Sequence, residues 1–232
     1  MKSSRRYKTR IAVIVDNESN SGLLSDWGLS IYVESTSWRA LFDAGSSPSI
    51  LRHNAKKLGI DLHSIDFAVL SHYHYDHLGG FKYISALKPG LTVYVPPGPA
   101  RNIDSFLNPI VIRKTTQIAD NAYIVGPLHA WLSFYEIAFA IQVEDRGLVI
   151  LVGCSHPGIV KIVSKAVKEI GRPAYMVLGG FHAPPVKALD NLAKMSGYIG
   201  PSHCSGAEAK KYVLTRYPDK FLEVKAGTII KI

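Results

Sequence analysis

Cysteine is almost missing from this chain, with only Cys154 and Cys204 among 232 residues. Two cysteines cannot build the disulfide framework of a small secreted domain, and a chain of this length can bury a full hydrophobic core without staples. Long apolar runs are missing as well. None approaches the roughly 20 residues that span a bilayer. The basic start Met1-Lys2-Ser3-Ser4-Arg5-Arg6 is not followed by the apolar core and small-residue cleavage site of a secretory signal. The sequence therefore reads as cytoplasmic, with no membrane partner. Internal repeats and low-complexity tracts are absent, so one domain is expected over residues 1–232, with residues 1–10 as a basic tail. A recognised nucleic-acid motif is lacking, as is a basic stripe interleaved with aromatics, so nucleic acid is not an expected partner. Acidic residues are in deficit, 18 against 27 lysines and arginines, for a net charge of +9. A basic surface favours anionic partners. A phosphorylated small-molecule substrate is the sharper reading, and a generally basic surface the plainer one.

What the chain does contain is a series of short β-branched runs separated by turn residues. Residues 11–15, 29–33, 39–42, 67–70 and 91–95 read as strands, and Ser35-Thr36-Ser37 joins the second and third as a hairpin. Residues 110–112, 123–125, 137–143 and 148–152 form a second set, the last two joined by a turn at 144–147. Between the sets, Pro96-Pro97-Gly98-Pro99 opens an irregular segment to about residue 109, expected to shape or cover a site. Apolar spacing predicts helices over 49–58, 159–170, 187–198 and 205–217, with strands at 175–178 and 228–232. The pattern is α/β (α+β), with helices covering sheet faces.

The densest chemistry is Ser71-His72-Tyr73-His74-Tyr75-Asp76-His77. Imidazole nitrogen and carboxylate oxygen are the usual zinc donors of catalytic sites. On an extended backbone His72, His74 and Asp76 point one way, with His77 beyond a tight turn. Gly79-Gly80 follows, where the backbone must turn sharply or approach a neighbour closely. The cluster can hold two metals with each shell partly filled, so further ligands must come from later in the chain. His156, His182 and His203 each follow a strand-like segment, where α/β sheets build their sites, and at least two of them are expected to be ligands. His53, His63 and His129 have no such placement and read as surface or packing residues. Cys154 and Cys204 each neighbour a histidine, which suggests chemistry near a metal, although a buried apolar thiol is common. Asp43 is expected to receive the spare N–H of a ligating imidazole, with a turn aspartate as the plainer reading. Asn17, Glu18 and Glu136 are weaker candidates for substrate contact, and a solvated loop or edge role fits each.

The H-x-H-x-D-H run, the strand end Phe42-Asp43-Ala44-Gly45 and the later histidines resemble the metallo-β-lactamase superfamily over nearly the whole chain. Asp16-Asn17-Glu18, Gly28-Leu29-Ser30, Gly153-Cys154-Ser155-His156-Pro157-Gly158-Ile159, Gly179-Gly180-Phe181-His182 and His203-Cys204-Ser205-Gly206 narrow the resemblance. They look like the archaeal and bacterial group named after the dihydropterin–ribofuranosylaminobenzene phosphate synthase of methanopterin biosynthesis. The resemblance implies a four-layer αβ/βα sandwich with its site at the edge between two sheets. It implies His72 and His74 on one metal, Asp76 and His77 on a second, and His203 as the late histidine ligand. The bridging aspartate of the superfamily has no counterpart in Gly153-Cys154-Ser155-His156. His156 is assigned to complete the first shell, with Cys154 as the fallback donor and otherwise behind the ligands. A weak or absent second metal is the expected consequence. Zinc, one or two ions, is the expected cofactor, and manganese or iron also suits mixed nitrogen and oxygen donors.

Three functions follow from this reading. The default is a metal-dependent hydrolase, with Asp76 orienting or deprotonating a water and His182 polarising an anionic substrate. Glu18 and Phe181 are expected at the substrate. The second is the pterin transferase that the group name implies, with Tyr73, Tyr75 and Phe181 available for stacking. The third is a metal-holding sensor or binding module without catalysis.

Overall fold

The computed structural model describes residues 8–99 and 103–232. Strands β1 (Arg10–Val15), β2 (Ser30–Glu34) and β3 (Arg39–Phe42) pair as an antiparallel meander. Helix α1 (Pro48–Lys57) crosses to β4 (Phe67–Val69), which lies parallel to β3. Helices α2 (Tyr75–Leu78) and α3 (Phe81–Leu87) lead to β5 (Thr92–Val95) and then β6 (Asn108–Val111), both parallel additions. A second sheet opens antiparallel with β7 (Thr116–Ala119), β8 (Ala122–Trp131), β9 (Phe134–Val143) and β10 (Gly147–Val152). It turns parallel at β11 (Ala174–Gly180) and β12 (Ser196–Ser202), reached through α4 (Ile159–Ile170) and α5 (Val186–Met195). After α6 (Ala207–Arg216), β13 (Ile229–Lys231) returns to pair with β1. The sheet orders are β13-β1-β2-β3-β4-β5-β6 and β12-β11-β10-β9-β8-β7.

Both faces of these sheets are covered, which is why their strands read as nearly continuous apolar runs. Ile11, Val13 and Phe42 meet Phe139, Ile141 and Val149 between the sheets. Ala12, Ile14 and Leu70 face outward against Leu51, Phe81 and Ile84 of α1 and α3. On the other side, Ile150 and Val177 pack against Ile162, Leu189, Leu192 and Val213 of α4, α5 and α6. The order of layers is helix, sheet, sheet, helix, as the resemblance implies. Local signals set the helix ends. The Ser47 side chain accepts the Ile50 N–H ahead of Pro48, and Gly171 (φ 76°) closes α4 in the left-handed region.

Several boundaries differ from the sequence reading. The helix expected to reach residue 198 stops at Met195, and Ser196 and Tyr198 instead pair with Ala174 and Met176 of β11. The last turn of the helix is tied off as the chain enters the strand: the Leu192 carbonyl accepts both the N–H and the hydroxyl of Ser196, and the Ala193 carbonyl accepts the Lys220 ammonium. Strand β7 and the outer arms of β8 and β9 lack clear apolar alternation and were not expected. The basic tail is shorter than ten residues. The amides of Lys8 and Thr9 donate to the Ile232 carbonyl, and Arg10 opens β1, while residues 1–7 lie outside the described residues. Within the expected site-covering segment, Ile103 and Leu107 are buried in the outer core, β6 starts at Asn108, and residues 100–102 lie outside the described residues. Among the described residues no helix is long and apolar enough to cross a membrane.

Phe139 ties the two sheets together. Its ring is fully buried, 5.8 Å from that of Trp38 and 6.0 Å from that of Phe67. Phe139→Ala is expected to lower unfolding free energy by about 3–5 kcal/mol, the usual cost of emptying a large aromatic site. Urea denaturation measures this, and a loss below about 1 kcal/mol would contradict a close-packed inter-sheet core.

Candidate metal centre

The C-terminal ends of β1, β3, β4, β10, β11 and β12 open on one edge of the sandwich. They deliver Asp16, Asp43, His72, Cys154, His182 and His203 in turn. Four residues just past strand ends, Asp43 (φ 53°), Ser155 (φ 61°), His182 (φ 55°) and His203 (φ 49°), adopt left-handed backbone that non-glycine residues rarely take. Such strain clusters at sites where the surroundings force a side chain into place. Close backbone approach does the rest. A Cβ on Gly80 would lie 2.0 Å from the Ala44 carbonyl oxygen, and one on Gly153 would lie 2.1 Å from Ser71 Oγ and 3.1 Å from His72 Nδ1. Only glycine lets these segments meet.

The expected extended run through residue 76 is not found. The chain turns into α2 at Tyr75, so Asp76 and His77 sit on a helical turn that folds them back toward His72. The ring centres of His72 and His77 are 4.1 Å apart. Asp43 lies under both, fully buried. Its carboxylate accepts the Ser71 N–H at 2.7 Å, the Ser71 hydroxyl at 2.7 Å and His77 Nδ1 at 2.7 Å. Burial pushes the Asp43 carboxyl up, yet three donors aimed at its two oxygens suit the ionised form. Burial also opposes a charged His77, but Asp43 outweighs it and raises that imidazole's pKa.

This network fixes tautomers. Since the Ser71 hydroxyl donates to Asp43, the 2.9 Å contact between Ser71 Oγ and His72 Nδ1 requires His72 Nδ1 to carry the proton. His77 Nδ1 donates to Asp43 in the same way. His156 Nδ1 donates to Glu136 Oε2 at 3.0 Å, and His203 Nδ1 to Asn17 Oδ1 at 3.0 Å. Four imidazoles are therefore held by Nδ1, which leaves Nε2 as the atom each can offer to a cation. His72 Nε2 accepts from His74 Nδ1 at 3.1 Å, while Asp76 Oδ2 is 3.6 Å from His77 Nε2 and 3.2 Å from His203 Nε2. His203 Nε2 is buried without a hydrogen-bond partner. Burial pushes the Asp76 carboxyl up, but the neighbouring His203 and His77 outweigh it and hold it down at about 2. Burial lowers His72, His74 and His203, keeping them neutral. Imidazole nitrogens and a carboxylate gathered in this way suit a cation.

The donors fall into groups whose ligand atoms lie within 4.8 Å of one another: Asp76, His77, Cys154 and His203; His72, Cys154 and His156; and Cys154, His182 and Cys204. Cys154 is common to all three, and its sulfur is 3.3 Å from His77 Nε2. It is therefore at the centre of the cluster and not behind the ligands. The Cys204 sulfur and burial both push the Cys154 thiol up. His182 is exposed at the mouth, with its ring 4.6 Å from that of His156.

The fold places the remaining candidates around this centre. Phe181 is 2% exposed and packs in the core beneath α4, α5 and α6, so it cannot reach a substrate. Glu18 lies on the rim, paired to Lys210 at 2.7 Å. Tyr73 is bound through its hydroxyl to the Pro96 carbonyl, and Tyr75 is largely exposed. Glu136 is not an edge residue. It is 1% exposed and accepts the N–H groups of Cys154, Ser155 and His156 at 3.0, 2.8 and 2.9 Å, shaping the loop that carries two donors. An acid in the otherwise apolar run Tyr135-Glu136-Ile137-Ala138-Phe139 was the available signal, because a buried carboxylate needs partners. Asn17 likewise holds His203 at both ends, through Nδ1 and through its carbonyl at 3.1 Å.

Residues 38–129 match the family model of the β-lactamase superfamily domain. The chain is 28% identical over 273 aligned positions to the 7,8-dihydropterin-6-methyl-4-(β-D-ribofuranosyl)-aminobenzene-5'-phosphate synthase of Methanocaldococcus jannaschii, covering 91% of this chain and 92% of that one. A solved structure described as a metal-dependent hydrolase of the β-lactamase superfamily aligns with a TM-score of 0.82 at 25% identity, over 97% of this chain and 99% of the other. A metallo-β-lactamase fold protein of Bacillus subtilis aligns with a TM-score of 0.70 at 12% identity, over 97% and 100%.

Glu136→Ala would leave three amides and one imidazole N–H facing an apolar gap. A loss of about 3–5 kcal/mol is expected, as when one partner of a buried charged network is removed. Glu136→Gln, which keeps an acceptor, should lose less. Denaturant titration of both variants checks this, and equal stability of wild type and Glu136→Ala would refute the role assigned to Glu136.

Proposed function

We propose that this chain, which has the metallo-β-lactamase fold and resembles members of that superfamily over nearly its full length, is a metal-dependent hydrolase of an anionic, phosphorylated small molecule. One observation carries the reading: four imidazoles are pinned through Nδ1, and the Nε2 atoms of His77 and His203 lie beside Asp76. His72, His74 and His156 would hold one ion, and Asp76, His77 and His203 a second. Cys154, common to the three donor groups, would be a further donor to either ion. A donor set of imidazole, carboxylate and thiol suits zinc, with manganese or iron as alternatives. Bound there, such an ion supplies Lewis-acid polarisation and a source of hydroxide near neutral pH.

The protein's own groups supply the rest. Asp43 and Glu136 fix the tautomers and ring orientations of His77 and His156, and Ser71 relays the effect of Asp43 to His72. Asp76, ionised at neutral pH, accepts a hydrogen bond from a water aligned for attack. His182, exposed beside His156, is placed to hold or protonate a substrate oxygen. The net charge of +9 draws anions toward the molecule.

A second reading, a transferase joining a pterin to an aryl ribosyl phosphate, is favoured by the similarity to the synthase. There the same cation would stabilise departing diphosphate.

Metal content by elemental analysis tests the centre. Two ions per chain are expected, falling to one or none in His74→Ala, His156→Ala and Cys154→Ala with the fold kept by circular dichroism. Unchanged content in all three variants would remove the centre from these residues. Imidazole and thiol bind cations only when deprotonated, so metal retention should be lost on acidification. Metal-dependent cleavage of a chromogenic phosphodiester is expected of the hydrolase. Tight pterin binding without cleavage would favour the transferase, and retained metal with neither would leave a sensor or binding module.

A further inference from the structure

The β8–β9 hairpin carries aromatic rings to the mouth of the metal centre. Trp131 and Phe134 are stacked, with centroids 4.7 Å apart and planes 6° from parallel. Phe134 also packs against His74, with ring centres 4.8 Å apart and planes at 30°. Trp131 has one face on Phe134 and remains 45% exposed. Both rings meet the edge of His156 at 5.1 Å, with interplanar angles near perpendicular, 80° and 83°. The turn between them is held in place. Leu132 takes a left-handed φ of 45°, and His129 Nε2 contacts its carbonyl oxygen at 2.5 Å. Phe134 is thus a packing residue of the donor shell, whereas the indole offers a flat apolar face beside a ligand candidate, and among the described residues only Phe134 is stacked on it.

We propose that the outer face of Trp131 is a stacking shelf for a planar aryl or heteroaryl group of the substrate, making the protein selective for aromatic over alkyl phosphate esters. This deepens the hydrolase reading and rests on it. Flat rings pair with an indole in offset or parallel stacks, with a gain beyond simple burial. Adjacency to His156 lets the ring lie outside the cluster while a phosphoryl group attached to it reaches inward. The braced hairpin presents the shelf already formed, so little ordering cost opposes binding. The shelf also explains why an exposed indole and a 90% exposed Leu132 stand together on a polar rim.

Calorimetric titration of the metal-loaded protein with 2-naphthyl phosphate and with butyl phosphate tests the shelf without requiring turnover. Naphthyl phosphate should bind about tenfold more tightly, the scale of one aromatic stack. Trp131→Ala should abolish that difference while leaving butyl phosphate affinity unchanged, and Trp131→Tyr should restore part of it. Equal affinities in wild type, or a preference that survives Trp131→Ala, would overturn the proposal. So would a change of oligomeric state in Trp131→Ala by light scattering, which would give this face to a second copy of the chain. Failure to hydrolyse either ester with the naphthyl preference intact would count against the hydrolase reading alone.

Discussion

A single buried carboxylate organises this molecule. Asp43 has no access to water, and its oxygens are satisfied by three donors from the next strand end and the helical turn beyond it. An unpaired carboxylate in that position would cost several kcal/mol, so the segment from Ser71 to His77 is bound to return over it. That return creates the cluster. It forces His77 to donate from Nδ1 and, through Ser71, forces His72 to do the same. Glu136 plays the matching part on the other sheet, where it gathers the loop after β10 and orients His156. The two carboxylates lie on opposite sheets and act on donors that face each other across the edge between them.

The architecture supplies that edge. Six strands end at it, and parallel pairing within each sheet aligns their C-terminal ends. The inter-sheet core around Phe139 keeps the sheets at fixed separation, so donors from β4 and β10 meet without either loop being long. The glycines that follow or face the cluster complete the fit by letting backbone pass where a methyl group would collide. Stability and site geometry are therefore coupled through packing, and not only through the polar network.

Cys154 gives the centre its particular character. Its sulfur belongs to every donor group on the edge, while Cys204 lies near enough to influence its ionisation. A thiol at this shared position is softer than a carboxylate and favours zinc over harder cations. The aromatic rings of Phe134 and Trp131 stand against His156, and His182 is exposed beside it.

Much of this was legible in the sequence. The H-x-H-x-D-H run marked where imidazoles and carboxylates gather. Strands such as 39–42 and helices such as 159–170 were marked by apolar period and by glycine or proline at their ends, which are local signals. The sequence also determined that His156 and His203 belonged with the cluster, through their places after strands. Tertiary structure alone decided the rest. Whether Tyr75–Leu78 would coil depended on Asp43 reaching His77 from 34 residues away. Helix α5 stopped at Met195 because β11 claimed the following residues as a strand. Phe181 and Glu136 exchanged importance because burial is set by packing between elements distant in sequence. The nearness of Cys154 to His77 was set in the same way, although the sequence had offered it as a fallback donor. A ligand's identity can be read from its side chain, but its neighbours are chosen only when the sheets close.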